Sequence, residues 1–271
     1  MKRLIFISLV SVFLSSCGKN LTVNLAETAL LWRIDDYFDI NRDQRKEIKS
    51  NFRKALKTAD QDDLPAFGKV IFSDELIAKD CTQIEKSYFQ LKPQIEEMRT
   101  KILKQSYSFI DSVNSKQVEY FIEQVKEDVA KDEKKSKSDR VNKLEKNLKR
   151  TQDIMQELFG ELKSAQQQAI QDHVLQQKNN EDLILQSRKK NLALLQNKSE
   201  SEVKDFMKNY VIQWRDYQTP ELKTAMLERE IESEKFYLSF FCQASAKQKK
   251  HFQTTVADYL DLIRKVYINQ N

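Results

Sequence analysis

Glycine and proline are scarce in this chain, and their scarcity restricts its fold more than any other feature of the sequence. Each occurs three times in 271 residues. Tight β-hairpin turns and phosphate-binding loops depend on Gly, because other residues adopt positive φ only at a cost in free energy. Charged residues make up 32% of the chain and hydrophobic residues 40%, a balance typical of amphipathic helices with one solvated face. The sequence therefore predicts an all-α protein.

The middle of the chain has an apolar pattern with heptad spacing. Its apolar residues recur three or four positions apart, with Thr151 filling one slot: Val141, Leu144, Leu148, Met155, Leu158 and Leu162. The pattern predicts a helical seam that breaks near Gly160 and restarts at Ser164. An antiparallel hairpin within one chain and a dimer zipper both fit the seam, and the hairpin is the favoured interpretation. We expect an elongated multi-helix bundle of long amphipathic helices with a heptad-like central hairpin.

The N-terminal residues have the features of a bacterial lipoprotein signal. Lys2 and Arg3 precede an apolar run over residues 4–14, which has about half the length that a membrane-spanning helix needs. The run ends in Leu14-Ser15-Ser16-Cys17, which resembles the lipobox of bacterial lipoproteins. The resemblance implies that residues 1–16 are cleaved and that acyl chains such as palmitate on Cys17 anchor the protein in a lipid bilayer. The alternative is an ordinary cleaved signal with an incidental cysteine.

The residues after Cys17 bear on the membrane and on the domain organisation. In Gram-negative bacteria an aspartate there favours retention at the inner membrane, and this chain has Gly18 and Lys19 instead. We therefore expect the outer membrane, with the protein facing the periplasm. A short tether over residues 17–20 would lead into a single helical domain over 21–271, which can also be divided into subdomains 21–135 and 136–271.

Two cysteines, Cys81 and Cys242, remain in the mature chain. Because disulfides persist in the oxidising compartment that an exported protein enters, one bridge between them is an expectation. In the alternative interpretation both are free and pack as small apolar side chains.

Four segments share a small pattern, in which Gln follows a short polar residue by three positions. They are Asn41-Arg42-Asp43-Gln44, Asn114-Ser115-Lys116-Gln117, Ser164-Ala165-Gln166-Gln167 and Ser245-Ala246-Lys247-Gln248. In a capping box the first side chain accepts from a free backbone N–H and the Gln bonds back to the N–H of the cap residue. Each segment therefore predicts a helix start. The intervals of 73, 50 and 81 residues are too irregular for a solenoid.

Sequence motifs for catalysis, cofactors and metals are absent. Neither His173 nor His251 has a partner at metal-ligand spacing, and both are predicted to be surface residues of helices. No nucleophile elbow or P-loop occurs. Basic and acidic residues are interspersed, without the basic stripe typical of nucleic-acid binding. The sequence therefore predicts no catalytic residue, no cofactor, no metal site and no nucleic-acid partner.

One local group of residues could bind a ligand. Trp32 and Asp36 lie four apart on one face of a helix, as do Arg33 and Tyr37. Together with Asp35 they form a candidate ligand rim. The favoured interpretation is instead a helix that packs Trp32 and Tyr37 into the core, with the Asp residues capping the next helix.

The same segment, residues 30–40 followed by Gln44, resembles the N-terminal signature of an uncharacterised family of all-helical bacterial lipoproteins. That signature reads W-x-x-D-D-Y shortly after the lipidated cysteine, and Asp63-Leu64-Pro65 and the helix start at Gln167 also fit the family. The resemblance implies a helical fold and a place in the envelope, with no assigned activity. The Gln-bearing caps are also similar to the Leu-Thr-x-x-Gln motifs of Spy-type periplasmic chaperones, although Thr is absent here.

These observations predict a membrane-anchored periplasmic lipoprotein that acts as an envelope binding or scaffold module without catalysis. Its expected partners are the lipid bilayer, through acylated Cys17, and another envelope protein or envelope polymer. A chaperone-like holdase is one alternative, and it requires an exposed apolar concave face. An enzyme with an unrecognised site is the other, and it requires polar groups that converge in a pocket. Burial of Trp32, Asp35, Asp36 and Tyr37 in the packing would favour the scaffold, whereas an open cleft lined by these residues would favour a ligand site.

Overall fold

The regular structure is helical throughout residues 19–77, 80–134 and 137–268, which are the residues that the computed structural model describes. Within these ranges there is no strand, which confirms the all-α prediction. The first part of the chain forms α1 (Lys19–Phe38), α2 (Arg42–Asp62), α3 (Leu64–Ile71), α4 (Asp74–Ile77), α5 (Cys81–Lys104), α6 (Tyr107–Ser112) and α7 (Ser115–Glu133). The second part forms α8 (Lys137–Phe159), α9 (Ser164–Gln176), α10 (Glu181–Gln196), α11 (Glu200–Gln213), a 3-10 turn (Trp214–Tyr217), α12 (Pro220–Gln243), α13 (Ala246–Ile263) and a π-helical turn (Arg264–Ile268).

The predicted signal peptide and the candidate lipid-attachment residue Cys17 lie outside the described residues. In the described ranges no helix combines the length and the apolar character that crossing a membrane requires.

The helix starts follow the capping pattern of the sequence, with one shift. The capping boxes at Asn41, Asn114 and Ser245 are present as predicted. The third helix start was predicted one residue too late, because Lys163 is the cap of α9 and Gln166 stands at its third position. The helix takes this register because it buries Gln166, whereas Gln167 is left exposed.

The predicted central hairpin is formed by α8 and α9. Gly160 has φ of 74°, a left-handed conformation that ends α8 with little strain. The apolar seam packs within the chain, since α8 contacts both α9 and α13. Met155 and Leu162 are buried, but Leu144 is 36% exposed, so only the C-terminal part of the predicted seam is covered.

The apolar cores are shared between the two parts of the chain. Leu31 of α1 packs in one cluster with Phe206 of α11, and Phe52 of α2 packs in another with Tyr259 and Tyr267 at the C-terminal end. Each part therefore covers apolar surface of the other. The division into subdomains near residue 135 stays a prediction.

One arrangement of four helix ends occurs twice. In the first part, the α1–α2 turn meets the α6–α7 turn. In the second part, the α8–α9 turn meets the α12–α13 turn. In each copy the two Gln side chains of the capping boxes bond to each other, and we call these pairs the glutamine clasps, Gln44 with Gln117 and Gln166 with Gln248.

The first clasp is a reciprocal amide pair. Gln44 Nε2 donates to Gln117 Oε1 (3.1 Å), and Gln117 Nε2 donates to Gln44 Oε1 (2.8 Å). Each Oε1 also accepts the N–H of its own cap residue, Asn41 (3.2 Å) or Asn114 (3.1 Å). Gln117 Nε2 further donates to the carbonyl of Phe38 at the end of α1 (3.0 Å). Both Gln residues are 6% exposed, so the pair satisfies polar groups that water cannot reach.

The second clasp has the same pattern. Gln166 Nε2 donates to Gln248 Oε1 (3.3 Å), and Gln248 Nε2 donates to Gln166 Oε1 (2.9 Å). The Oε1 atoms accept from the N–H groups of Lys163 and Ser245, each at 3.0 Å. Gln248 Nε2 also donates to the carbonyl of Glu161 after α8 (3.0 Å). The two clasps therefore close equivalent helix junctions in the same way.

A triad of phenylalanines accompanies each clasp. One ring stacks on a second and meets a third edge-on: Phe38 with Phe121 (5.1 Å) and Phe109 (5.3 Å), and Phe159 with Phe252 (5.6 Å) and Phe240 (5.0 Å). The equivalent residues Phe109 and Phe240 are 131 positions apart in the sequence, as are Gln117 and Gln248. The two junctions are therefore built from equivalent residues, although the intervals between consecutive caps are irregular.

Candidate functional site

The residues of the predicted rim lie in the C-terminal half of α1, where α1 packs against α7. Trp32 is 64% exposed, so the prediction that it packs into the core is wrong. The preceding residue, Leu31, is 3% exposed and occupies the side of α1 that faces the core. Since successive helical residues are rotated by about 100°, the burial of Leu31 directs Trp32 toward solvent.

Tyr37 is half-buried between α1 and α7 rather than packed in the core. Its ring is tilted against Phe121 at 6.3 Å, and its hydroxyl donates to the carboxylate of Asp128 on α7. Arg33 Nη2 donates to the Tyr37 hydroxyl (3.0 Å), and its guanidinium lies 4.7 Å from the ring centroid. Burial, followed by the hydrogen bond to Asp128, raises the pKa of Tyr37 to about 12. Tyr37 therefore remains a proton donor near neutral pH and holds α1 to α7.

The two Asp residues of the rim have different roles. Asp35 Oδ1 accepts the N–H of Ile40 (3.0 Å), and Asp35 Oδ2 pairs with Arg45 at 3.0 Å. Asp35 thus stabilises the turn from α1 to α2, in which Asp39 adopts φ of 45°. The prediction that the Asp residues cap the next helix is wrong, because Asn41 is the N-cap of α2 and Asp35 bonds to the turn before it. Asp36 is exposed and lies 3.9 Å from Arg33.

The candidate rim residues do not converge on a cleft. Trp32 and Asp36 face solvent, whereas Asp35 and Tyr37 are bound to neighbouring helices. The arrangement exposes one large aromatic side chain, Trp32, on α1, and the neighbouring helices hold α1 in place. The arrangement lacks the enclosure of a small-molecule site.

A buried carboxylate also holds α1 in place, and sequence reasoning missed it. Glu27 is 6% exposed, and its carboxylate contacts Arg53 Nε (2.8 Å) and Lys49 Nζ (3.1 Å) on α2. Its backbone N–H donates to the hydroxyl of Tyr267 (3.3 Å). Burial raises the pKa of Glu27, but the hydrogen bonds and positive charges of Arg53 and Lys49 outweigh it and lower the pKa. The available signal was an acidic residue within the largely apolar stretch from Leu25 to Leu31.

A pocket of about 270 Å³ lies between α3 and α5, and its lining includes Asp63, Gln94, Met98 and Lys101. Lys101 Nζ donates to Asp63 Oδ1 (2.7 Å). Among the described residues, Asp63 Oδ2 and Gln94 Oε1 are buried and have no hydrogen-bond donor. The two atoms can only accept hydrogen bonds, so a water or an ammonium group matches them. Neither is arranged as a nucleophile beside a base.

Other exposed apolar side chains are spread over the molecule. Ten large ones in the described part of the chain are more than about a third exposed: Trp32, Phe72, Phe89, Tyr120, Leu144, Leu175, Leu194, Leu227, Ile231 and Tyr237. They lie on seven helices and one loop, and Leu227 and Ile231 are the pair one turn apart on a single helix.

The two histidines have different environments. His251 is exposed, as predicted, and its Nε2 lies 3.1 Å from the carbonyl of Glu157. His173 is half-buried rather than exposed, because it stacks on Phe236 with ring centroids 4.0 Å apart. Burial, and then the charge of Arg229, lowers the pKa of His173. Over the described ranges, no three His, Cys, Asp or Glu residues are grouped as metal ligands would be.

A protein-family model described as a family of unknown function (DUF6279) matches residues 36–199. The matched region begins within the W-x-x-D-D-Y segment, includes the first clasp and ends at the cap of α11. Cys17 and Trp32 precede it. The chain matches no curated protein and no solved structure.

Proposed function

This chain belongs to DUF6279, a family of unknown function, and we propose that it is a lipid-anchored protein of the bacterial cell envelope that binds a partner protein and catalyses no reaction. In this proposal Cys17 bears the acyl chains, and the helical domain faces the periplasm from the outer membrane. The sequence of residues 1–17 supports the anchor. Since α1 begins at Lys19, two residues after Cys17, the anchor would be joined directly to the first helix.

The observation that carries the binding proposal is the exposure of Trp32. Trp and Arg are the residue types that most often dominate the binding energy of protein interfaces, and Trp32 stands beside the exposed Arg33. Contacts of Glu27, Asp35 and Tyr37 fix α1 on both sides of this position. A partner would therefore meet an ordered surface, with little loss of conformational entropy on binding.

The charges around Trp32 favour a protein over an anionic lipid surface as the occupant. Asp36 in α1, Asp39 just after it and Asp43 in the first turn of α2 are exposed carboxylates. They offset the positive charge of Arg33, and anionic headgroups would repel them. The part of α1 from Lys19 to Trp32 spans roughly 20 Å, so a partner bound at Trp32 would lie near the bilayer without being part of it.

Substitution of Trp32 should disrupt a specific contact in the cell. We expect a photo-crosslinking amino acid at Asp36, one turn from Trp32, to form a discrete protein adduct in the tethered protein. Trp32→Ala in the same chain should reduce the adduct yield by about tenfold or more, because an interface Trp that dominates binding contributes about 2 kcal/mol or more. The measurement is the band intensity after irradiation of intact cells.

The control for that experiment is the same crosslinker at Phe89, an aromatic residue on α5 that is 58% exposed. We expect no shared adduct from that position. Trp32→Ala should leave the stability within about 0.5 kcal/mol of wild type, since the side chain is mostly in solvent. An adduct yield that Trp32→Ala leaves unchanged would contradict the proposal. Many different adducts from both positions would point instead to a holdase.

The lipid anchor has its own test. Metabolic labelling with a palmitate analogue should tag the wild-type protein, and Cys17→Ser should remove the tag and release the protein from the membrane fraction. Acyl chains contribute about 0.8 kcal/mol for each buried methylene, so their loss should release most of the protein. Cys81→Ser is the matched control and should retain the label. Equal labelling of Cys17→Ser and wild type would refute the anchor.

A further inference from the structure

Two cysteines face each other where α5 packs against α12. Tyr88 donates to Glu234 Oε1 (2.9 Å), and Lys92, one turn later on α5, pairs with the same carboxylate. From this contact, Cys81 is two turns toward the start of α5, and Cys242 is just over two turns toward the end of α12. In an antiparallel pair, the start of one helix lies beside the end of the other, so these two displacements bring the cysteines to the same level. The influence of the Cys81 side chain on the pKa of Cys242 agrees with this placement.

The two thiols differ in accessibility. Cys81 is exposed in the first turn of α5, directly after its cap residue Asp80. Cys242 is half-buried, next to Phe241, which packs against a cluster that includes Ile71 and Leu91. Burial, followed by the hydrogen bond with Cys81, raises the pKa of the Cys242 thiol to about 12. A reagent in solution would therefore reach Cys81 first.

We propose that Cys81 and Cys242 form a disulfide that links α5 to α12. The oxidant would be a protein disulfide of the compartment outside the inner membrane, so formation in the cell rests on the proposed export. The Cys81 thiolate attacks that disulfide, and one of its sulfurs leaves as a thiolate. Cys242 then loses its proton and attacks the Cys81 sulfur of the mixed disulfide, releasing the second thiolate. Two thiols of this chain are oxidised, and one external disulfide is reduced to a dithiol.

The bond would join the two parts of the chain. It closes a loop that runs from the start of α5 to the end of α12 and contains residues of both clasps. A cross-link over so long a loop restricts the unfolded chain strongly, and we expect it to raise the Tm by roughly 10 °C. The bond would strengthen the contact between α5 and α12 without changing how the two helices pack.

The pairing can be tested in purified protein, independently of its location in the cell. In the mature chain with Cys17→Ser, Cys81 and Cys242 are the remaining cysteines. After incubation with oxidised glutathione, non-reducing peptide mapping should find one Cys81–Cys242 peptide pair, with the loss of two hydrogens. The Tm should rise relative to the reduced sample, and the rise should be absent from Cys81→Ser.

A shifted cysteine provides the matched control. In Cys242→Ser with Gln243→Cys the thiol moves by one residue, about 100° around α12, to an exposed position. We expect this variant to form glutathione adducts and little or no bridge. If both native thiols stayed fully alkylatable after oxidation of the folded protein, the pairing would be wrong. A bridge that forms in the purified protein but is absent in cells would support the pairing and contradict the proposed export.

Discussion

Replacing Gln117 with Leu should lower the free energy of unfolding by about 3 kcal/mol, and Gln248→Leu should lower it by a similar amount. Gln117 Nε2 donates to Gln44 Oε1 and to the carbonyl of Phe38, and its Oε1 accepts the N–H of Asn114. Leucine fills much of the same space but leaves these groups buried without partners. Each buried polar group left in that state costs about 1–3 kcal/mol.

The double variant Gln44→Leu with Gln117→Leu provides a sharper test. Because both single variants break the same amide pair, the double variant should be less destabilised than the sum of the two by about 1–2 kcal/mol. Urea unfolding monitored by circular dichroism measures all three values. Gln168→Leu, an exposed residue two positions from Gln166, should change the stability by less than about 0.5 kcal/mol. Strict additivity of the clasp variants would show that the pair does not act as a unit.

Glu27→Gln should destabilise the protein by about 2 kcal/mol at neutral pH. The substitution keeps the shape of the side chain but removes the charge that Arg53 and Lys49 contact. Loss of one partner of a buried ion pair costs about 3–5 kcal/mol when the remaining charge stays buried. Here Arg53 and Lys49 are each 42% exposed and can be hydrated, so we expect a smaller loss.

The effect of Glu27→Gln should depend on pH in a defined direction. The fold lowers the pKa of Glu27, so its contribution to stability is fully present above the pKa of about 4.3 in the unfolded chain. That contribution is lost as the pH falls through the lower pKa of the folded protein. The gap in stability between wild type and Glu27→Gln should therefore narrow below about pH 4.

Urea titrations at several pH values measure that gap. Glu119→Gln is a suitable control, because Glu119 is an exposed carboxylate on α7. We expect this control to differ from wild type by less than about 0.5 kcal/mol over the whole range. If the difference in stability between wild type and Glu27→Gln widened in acid, Glu27 would not be the charged partner of Arg53 and Lys49.

The helical class and three of the four capped helix starts could be read from the sequence, because they depend on local interactions. The scarcity of Gly and Pro excludes folds rich in tight turns, and a Gln three residues after a polar cap satisfies backbone groups of its own helix. The break at Gly160 is local too, since a positive φ favours Gly there. Where such a signal was ambiguous, as at Ser164, the prediction was wrong by one residue.

The partners of those residues depended on contacts between segments far apart in the chain. Gln117 is recognisable as a capping residue from its neighbours, but its pairing with Gln44 exists only once two helix junctions meet. The same is true of Glu27 with Arg53. Trp32 was misplaced because helical periodicity does not say which of two adjacent apolar residues faces the core, and the packing of Leu31 decides it. Spacing along a helix determines which residues share a face. Which other helix that face contacts is decided by the free energy of packing in the tertiary structure.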